Sequence, residues 1–390
     1  MSGDVPNVEK TGNWEESLLG MPIGQIYSLF PGLVASVLFA WVGIWLSEFL
    51  GTTVLGFEKS PLSPVIVVIV LGLIISNIVH LPAWFKPGLT FSVKKILRLG
   101  IILLGIRLSV FDVFRLGALG VPIVLACIIG ALLFTTYLNN WLNLPKRLGT
   151  LIAVGTSICG ASAIVAAGPA IDAEDEEISY AVAVITVFGI VASLVYPYLA
   201  FQLFVGDPVK CGLFLGTSVH ETAQVAGAAV IFSDVFSLPL TLDVAAVTKM
   251  VRNVFMAIVI PGMAVYYAHR TADEQRAERN ATNVRKFLSM FIVGFLAFAI
   301  VRSVGDAGVN AGEQAFGLWD ANAWQNIYTF IKTWAGNFLV VALAGVGLNT
   351  RFRTLRKLGI KPFFVGLGAA LAVGVMSFIA ISLLGSFVTL

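Results

Sequence analysis

Long apolar runs separated by short charged segments dominate the chain. Most runs are about 18 to 25 residues long, the length a helix needs to cross a hydrocarbon core of about 30 Å. The pattern predicts an all-α membrane protein with about eleven transmembrane helices. The predicted spans lie near 31–50, 62–79, 95–111, 117–138, 147–170, 178–205, 209–232, 242–268, 285–304, 323–348 and 361–388.

Composition supports a bilayer as the main solvent, because 58% of residues are hydrophobic and only 12% are charged. A polar, cytoplasmic N-terminal segment (1–28) and one polytopic transmembrane domain (29–390) are expected. The short connections leave no room for a soluble enzyme domain, and no phosphate loop or nucleophile elbow occurs. No enzyme activity, cofactor or metal site is therefore expected. Nucleic acid is not an expected partner, since basic residues form no stripe interleaved with aromatics.

Lys and Arg fall mainly in alternate connections of the eleven-span count, at 86–98, 146–147, 210, 269–286 and 351–361. Because basic loops stay on the cytoplasmic side, the N-terminus is predicted inside the cell and the C-terminus outside. Arg107 and Arg115 fit this assignment of cytoplasmic connections poorly.

Residues 103–117 (LLGIRLSVFDVFRLG) resemble residues 343–359 (LAGVGLNTRFRTLRKLG). In the span count the two copies run in opposite directions, which predicts an inverted repeat of the kind found in secondary transporters. The alternative is chance similarity between two helix ends rich in Leu and Gly.

The tripeptide Gly-Thr-Ser interrupts two spans, as Gly155, Thr156 and Ser157 and again as Gly216, Thr217 and Ser218. These residues weaken helix continuity where lipid cannot satisfy a freed backbone group. A helix that restarts there would face the gap with its N–H groups, flanked by hydroxyls including that of Ser162, and so form an anion site. Alternatively, the small residues only let helices pack closely.

Three polar residues, His220, Glu221 and Gln224, follow the second tripeptide. A charged group at mid-span costs roughly 2.5–3.5 kcal/mol, so these side chains require a cavity or a partner. They are predicted to couple transport to protons or Na⁺. The alternative is a purely structural polar cluster.

The following span carries Lys249, Arg252 and Asn253. Lys249 and Arg252 are three residues apart and share one side of the helix. They are predicted to neutralise an anion or pair with Glu221, while Asn253 joins the ion-coupling group. Alternatively, both cations reach the membrane interface from near the helix end.

Together, GTSICGASAI at 155–164, HETAQVAGAA at 220–229, the K-x-x-R-N of residues 249–253 and the paired LGIRLS and VGLNT segments resemble the YeiH-like membrane proteins, a family described as sulfate exporters. The similarity runs from about residue 30 to the C-terminus. It implies a plasma-membrane secondary transporter with inverted repeats and crossing broken helices, similar to sodium/proton antiporters and bile-acid symporters.

The first functional hypothesis is a transporter of a small anion such as sulfate, sulfite or a sulfonate, coupled to H⁺ or Na⁺, with export as one direction. A cation/proton antiporter or an organic-anion symporter would use the same polar residues. A membrane scaffold or receptor that transports nothing is the third reading. The lipid bilayer, the anion and the coupling ion are the expected partners, and a homodimer is one expected assembly.

Overall fold

The computed structural model describes residues 23–388 except 55–62, 80, 272–289, 313 and 351–359. Within these residues the fold is almost entirely helical, and β structure is confined to one bridge between Ala315 and Trp319. Residues 1–22 of the predicted cytoplasmic segment, most of the basic loop at 269–286 and the end of the second repeat copy lie outside the described residues.

The α-helices are numbered here in chain order within the described part of the chain. The first half contains α1 (Phe30–Glu48), α2 (Pro64–Ile78), α3 (Lys86–Phe91), α4 (Leu97–Leu104), α5 (Val110–Trp141), α6 (Lys146–Ser157) and α7 (Ala161–Ala167). The second half contains α8 (Asp175–Phe204), α9 (Pro208–Ser218), α10 (Thr222–Phe236), α11 (Leu240–Val254), α12 (Met256–Thr271), α13 (Met290–Asn310), α14 (Ala321–Asn349) and α15 (Ile360–Leu384).

Seven helical stretches in the described residues are long and apolar enough to cross a membrane. They coincide with seven of the predicted spans and confirm an all-α membrane protein. The other four predicted spans, at 62–79, 95–111, 147–170 and 209–232, are occupied by shorter or interrupted helices. The count of eleven therefore stays a prediction.

One boundary differs from the sequence-based expectation. Residues 86–98 were expected to form a basic loop, but helix runs from Lys86 to Leu104 through a π-helical turn at Ser92–Ile96. Lys94 and Arg98 are exposed in this helix, whereas Ser92 and Leu97 are buried. Long basic side chains keep their charge in a polar environment while the helix buries its other face.

The first copy of the internal repeat spans a helix junction, where α4 ends, a 3₁₀ turn follows at Gly105–Arg107, and α5 begins. The second copy begins in the last turns of α14, and its residues 351–359 lie outside the described part of the chain. The α4 and α14 helices pack against each other. The inverted relationship between the copies stays a prediction.

Close helix packing in this bundle depends on small residues, as is common in membranes. The α2 and α14 helices approach so closely that a Cβ atom on Gly347 would lie 2.8 Å from the carbonyl oxygen of Ile69 and 3.1 Å from the Cα of Gly72. Only glycine therefore fits at this contact between α2 and α14.

Arg107, which fitted the charge map poorly, forms a buried ion pair. Its guanidinium donates to both carboxylate oxygens of Asp243, with Nη2 3.2 Å from Oδ2, and also to the carbonyl oxygen of Pro239 at 3.0 Å. The pair fixes the end of α4 to the start of α11, the helix that carries Lys249 and Arg252.

Candidate functional site

Two membrane segments are broken at mid-length, as the tripeptides predicted. The first break separates α6 from α7 at residues 158–160, and the second separates α9 from α10 at residues 219–221. Gly160 has φ +71° and ψ −129°, a conformation that essentially only glycine adopts without strain. A Cβ atom on Gly160 would lie 3.2 Å from the Cβ of Glu221, so the two breaks contact each other.

Both tripeptides lie in the last turn of the helix before the break, at the C-terminal ends of α6 and α9. The sequence-based expectation was that they would flank helix N-termini. We call the place where the two breaks contact each other the helix crossing. Because the tripeptides end α6 and α9, the free carbonyl groups of both helices, which carry the negative end of the helix dipole, converge at this crossing. This polarity explains why the cations Lys249 and Arg252 of α11 are held there.

Lys249 is 1% exposed and satisfies carbonyls of both breaks. Its Nζ donates to the carbonyl oxygens of Ile158 at 2.8 Å and Val219 at 3.0 Å, and to that of His220. An ammonium has three N–H donors, so all three are used. Lys249 therefore does not reach the membrane interface, contrary to the snorkelling alternative.

Arg252 is fully buried and joins the two helix ends. Its Nε donates to the carbonyl oxygen of Ser157 at 2.7 Å, and its Nη2 donates to that of Thr156. Its Nη1 donates to the carbonyl oxygen of Thr217 and, at 3.4 Å, to that of Val219. One N–H of Nη2 is left over from these bonds.

The tripeptide hydroxyls are bonded mostly within their own helices. Ser157 Oγ donates to Val154 O at 3.2 Å and Ser218 Oγ to Phe214 O at 2.5 Å. Thr217 Oγ1 donates to Leu213 O at 2.7 Å. Such bonds weaken the helix at its end, which is consistent with the breaks that follow.

Three other predicted binding residues have packing or peripheral positions. A Cβ atom on Gly155 would lie 2.6 Å from the Cδ1 of Ile164, so this glycine lets α7 fold against α6. One on Gly216 would lie 2.7 Å from the Cβ of Thr248, so this glycine lets α9 approach α11. Ser162 lies in the first turn of the short α7 and is exposed, outside the buried cluster.

Seven buried side-chain atoms lack a hydrogen-bond partner in the described residues, and three of them, on Thr135, Asn139 and Arg302, lie outside the helix breaks and α11. The other four are Thr156 Oγ1, both ring nitrogens of His220, and Asn253 Oδ1. Asn253 Nδ2 donates to Thr222 Oγ1 at 3.3 Å. Because buried polar groups normally find partners, these atoms are the strongest structural sign of a ligand.

Glu221 caps α10 and is only partly buried. Its side chain accepts from the backbone N–H of Gln224, whose Oε1 in turn accepts from the Glu221 N–H at 3.2 Å, which forms a capping box. Gln224 Nε2 also donates to Thr186 O at 3.0 Å. The sequence predicts a helix N-terminus that faces the crossing, and α10 provides one. Its N-terminal N–H groups are already capped by the Glu221 side chain.

Several groups contribute to this site in addition to the residues predicted from the sequence. The carbonyl groups of Ile158 and Val219 hold the cations, and no sequence signal marks a backbone acceptor. Ser377 on α15, whose Oγ lies 2.6 Å from Thr217 Oγ1, had a signal, because it is a polar residue inside a long apolar helix.

Comparison with known proteins identifies the family. Residues 31–366 match the family model described as conserved hypothetical protein 698. A UPF0324 membrane protein of Fusobacterium nucleatum is 30% identical over 320 residues, covering 82% of this chain and 90% of that protein. A UPF0324 membrane protein of Bacillus anthracis is 31% identical over 361 residues, covering 91% and 94%. The chain therefore belongs to the UPF0324 family of multi-pass membrane proteins, the family to which the YeiH-like resemblance pointed.

Proposed function

We propose that this protein is a secondary transporter that carries a small inorganic or sulfur-containing anion, such as sulfate, sulfite or a sulfonate, across the plasma membrane. One observation carries the proposal. Lys249 and Arg252 are buried where the two broken helices meet, and no carboxylate of the described residues lies within 4 Å of either. Buried charges are normally paired, so two unpaired cations attract an anion.

The local charges favour this reading. A helix C-terminus carries roughly half a negative charge, so α6 and α9 together offset about one of the two positive charges. The N-terminus of α10 adds roughly half a positive charge at the same place. Glu221, which caps α10, offsets most of the remaining positive charge, but only while it is ionised. When Glu221 takes up a proton, the crossing has an excess of positive charge and binds an anion more tightly. Proton uptake at Glu221 and anion binding are thereby coupled.

The substrate would be held mainly by the groups that have no protein partner. A neutral histidine has one N–H donor, and neither ring nitrogen of His220 has a partner within the described part of the chain. The hydroxyl of Thr156 and the remaining N–H of Arg252 add two further donors. Lys249 acts through its charge, because its three N–H groups already bind carbonyls. In this arrangement, anion binding leaves the helix ends intact.

A cation/proton antiporter is the second candidate, and a separate observation favours it. Asn253 Oδ1 is a buried acceptor that finds no partner among the residues the structure describes, and Glu221 lies at the start of the neighbouring α10. These oxygens are the ligands that a hard cation prefers. The two fixed positive charges weigh against this candidate, because they repel a second cation.

Flux into proteoliposomes separates the candidates. The purified protein is reconstituted, and uptake of radiolabelled sulfate, sulfite and taurine is measured while H⁺ and Na⁺ gradients are varied one at a time. Anion uptake driven by a gradient supports the proposal. Na⁺/H⁺ exchange that proceeds without any anion supports the antiporter and rejects the proposal.

Site variants then locate the binding groups. His220→Ala and Thr156→Val are each expected to reduce anion uptake about tenfold, since a hydrogen bond to a charged group contributes about 1.5–3 kcal/mol. Thr248→Val is the matched control, because the Thr248 hydroxyl is buried but donates to its own helix at 2.7 Å. Equal flux in all three variants would place the binding site elsewhere.

A further inference from the structure

A cavity of about 410 Å³ lies among α5, α6 and α12, away from the helix crossing. This volume far exceeds the roughly 10–15 Å³ that one water molecule needs. The polar residues of its wall are Thr136, Asn139, Asn140, Lys146, Thr150 and Tyr266. They supply hydroxyl, amide and ammonium groups and no carboxylate, so the wall is suited to an anion rather than a cation.

Among the polar residues of this wall, Asn139 is buried, whereas the others are half-buried or exposed. The residue is 2% exposed, and its Oδ1 has no partner in the described residues. Its Nδ2 donates to the carbonyl oxygens of Leu144 at 3.3 Å and Pro145 at 3.4 Å. The side chain packs against Gly149, and surrounding atoms cover this oxygen. A solute in the cavity therefore meets the other polar side chains of the wall.

The cavity follows one face of α6 towards the crossing. Its lining residues on this helix are Lys146, Gly149, Thr150 and Ala153, a spacing that places them on one side. Thr156 and Ser157 continue this face by one more turn. Exposure falls along it, from the exposed Lys146 to Ala153 at 1%. The mouth therefore lies at the Lys146 end and the closed end points to the crossing.

The α12 helix shows the same arrangement. It contributes Val259, Gly262, Met263 and Tyr266 to the cavity wall, and Met256 continues this face by one turn towards the crossing. Met256 is 8% exposed, and its Sδ lies 3.6 Å from the Sγ of Cys159 in the first break. On α5, Ile128 precedes the lining residue Leu132 by four residues, so it continues the cavity face by one turn towards the crossing, and it is 2% exposed.

The layer between the cavity and the crossing is thin. Lys146 and Ala153 are seven residues apart, which corresponds to about 10 Å along the helix. Ala153 and Thr156 are three residues apart, about 4.5 Å. The apolar layer between the two compartments is therefore about one helical turn deep.

We propose that this cavity is an aqueous vestibule for a small anion, opening at the Lys146 end of the bundle and closed from the helix crossing by the layer that Met256 and Ile128 form. The identity of the occupant rests on the proposed function, whereas the water access does not. From the charge pattern, the Lys146 end is the cytoplasmic one, so the vestibule belongs to the cytoplasmic half of the route.

Cysteine labelling tests the water access. Cys127, Cys159 and Cys211 are replaced by Ala, and single cysteines are introduced on α6 at Lys146, Thr150, Ala153 and Thr156. Ile258→Cys is the control, because Ile258 is 64% exposed on α12 but does not line the cavity. Sealed vesicles of each orientation are treated with a negatively charged, membrane-impermeant methanethiosulfonate. If the variant that lacks all three native cysteines misfolds, the single-cysteine substitutions are made in the parent chain instead, since its native cysteines are buried.

Cysteines at positions 150 and 153 are expected to react from the side that labels position 146, and the cysteine at 156 at least tenfold more slowly. Adding Met256→Ala is expected to speed reaction at 156. Ile258→Cys should react only with an uncharged, permeant maleimide. If positions 150 and 153 behave like 258, the cavity is a lipid groove and the proposal fails. Reaction from the side opposite to 146 also overturns it.

Flux measurements separate this proposal from the proposed function. Modified Ala153→Cys should lose anion uptake that the unmodified protein has. If the cavity positions label as expected but the unmodified protein carries no anion, the vestibule stands and the proposed function falls. If the label attaches at 153 and anion uptake continues, the vestibule does not lie on the anion route.

Discussion

The Nε of Arg252 donates a 2.7 Å hydrogen bond to the carbonyl oxygen of Ser157, the last residue of α6. The same guanidinium binds the carbonyl oxygen of Thr217 in the last turn of α9. One side chain thus satisfies the ends of two broken helices that are about 60 residues apart in the chain, in a region where neither lipid nor bulk water can do so.

Arg252→Gln is expected to destabilise the protein strongly. Each carbonyl left without a donor costs about 1–3 kcal/mol, and the loss of the guanidinium frees several of them. Arg252→Lys should recover only part of the loss, because one ammonium does not reproduce the planar guanidinium fork. Thermal unfolding in detergent measures the stability of both Arg252 variants. Lys86→Gln is the control, because Lys86 is exposed. Equal midpoints for Arg252→Gln and the parent would contradict the structural role.

Gly347→Ala is expected to destabilise the α2–α14 contact by about 1–3 kcal/mol, because its Cβ would overlap the backbone of α2. Gly336→Ala is the matched control on the same helix, since a Cβ there meets nothing within 4 Å. This control should be neutral or stabilising by up to about 1 kcal/mol through helix propensity. Denaturant titration of both variants provides the comparison, and a similar effect of the two would exclude close packing as the cause.

The Arg107–Asp243 pair is expected to show strong coupling. Asp243→Asn leaves a buried guanidinium without its counter-charge, and Arg107→Gln leaves a buried carboxylate. The double variant removes both charges and should be less damaging than the sum of the single changes, with a coupling energy of about 0.5–3 kcal/mol. A double-mutant cycle on unfolding free energies measures this quantity. Additive single effects would show that the two side chains do not interact.

Glu221→Gln is expected to remove the pH dependence of anion uptake. In the parent protein, protonation of Glu221 takes away a negative charge beside the cations, so uptake should rise as pH falls. Gln cannot ionise and keeps the capping geometry, so the variant should transport at a pH-independent rate resembling that of the parent at low pH. Initial uptake rates across pH 5–8 provide the measurement. Parallel pH profiles for both proteins would assign the coupling proton to another group.

Much of this architecture is predictable from the sequence, because bilayer thickness fixes span length and because Gly, Thr and Ser mark helix breaks. The sequence also marks Lys249 and Arg252 as cations within a span, but it does not decide whether they are buried or reach the interface. Hydropathy alone does not show that residues 86–98 continue a helix, since a basic residue at a helix end and one in a loop look alike in sequence.

The polarity of the crossing was harder to predict. The two Gly-Thr-Ser tripeptides indicate a helix break, but they do not show whether they end the helix before the break or begin the helix after it. The sequence therefore predicts that Lys249 and Arg252 neutralise an anion or pair with Glu221. In the structure, most of their donors bind backbone carbonyl oxygens such as those of Thr156 and Ser157. Backbone acceptors have no signature in a sequence, and contacts between residues about 90 positions apart depend on tertiary packing.

The bonds from Lys249 and Arg252 also constrain how the molecule can move. Separation of the ends of α6 and α9 would expose several carbonyls at once, and their loss would have to be offset within the membrane. We therefore expect these helix ends and α11 to move as one rigid body. In the proposed transport cycle, alternating access would displace this body against surrounding helices such as α5.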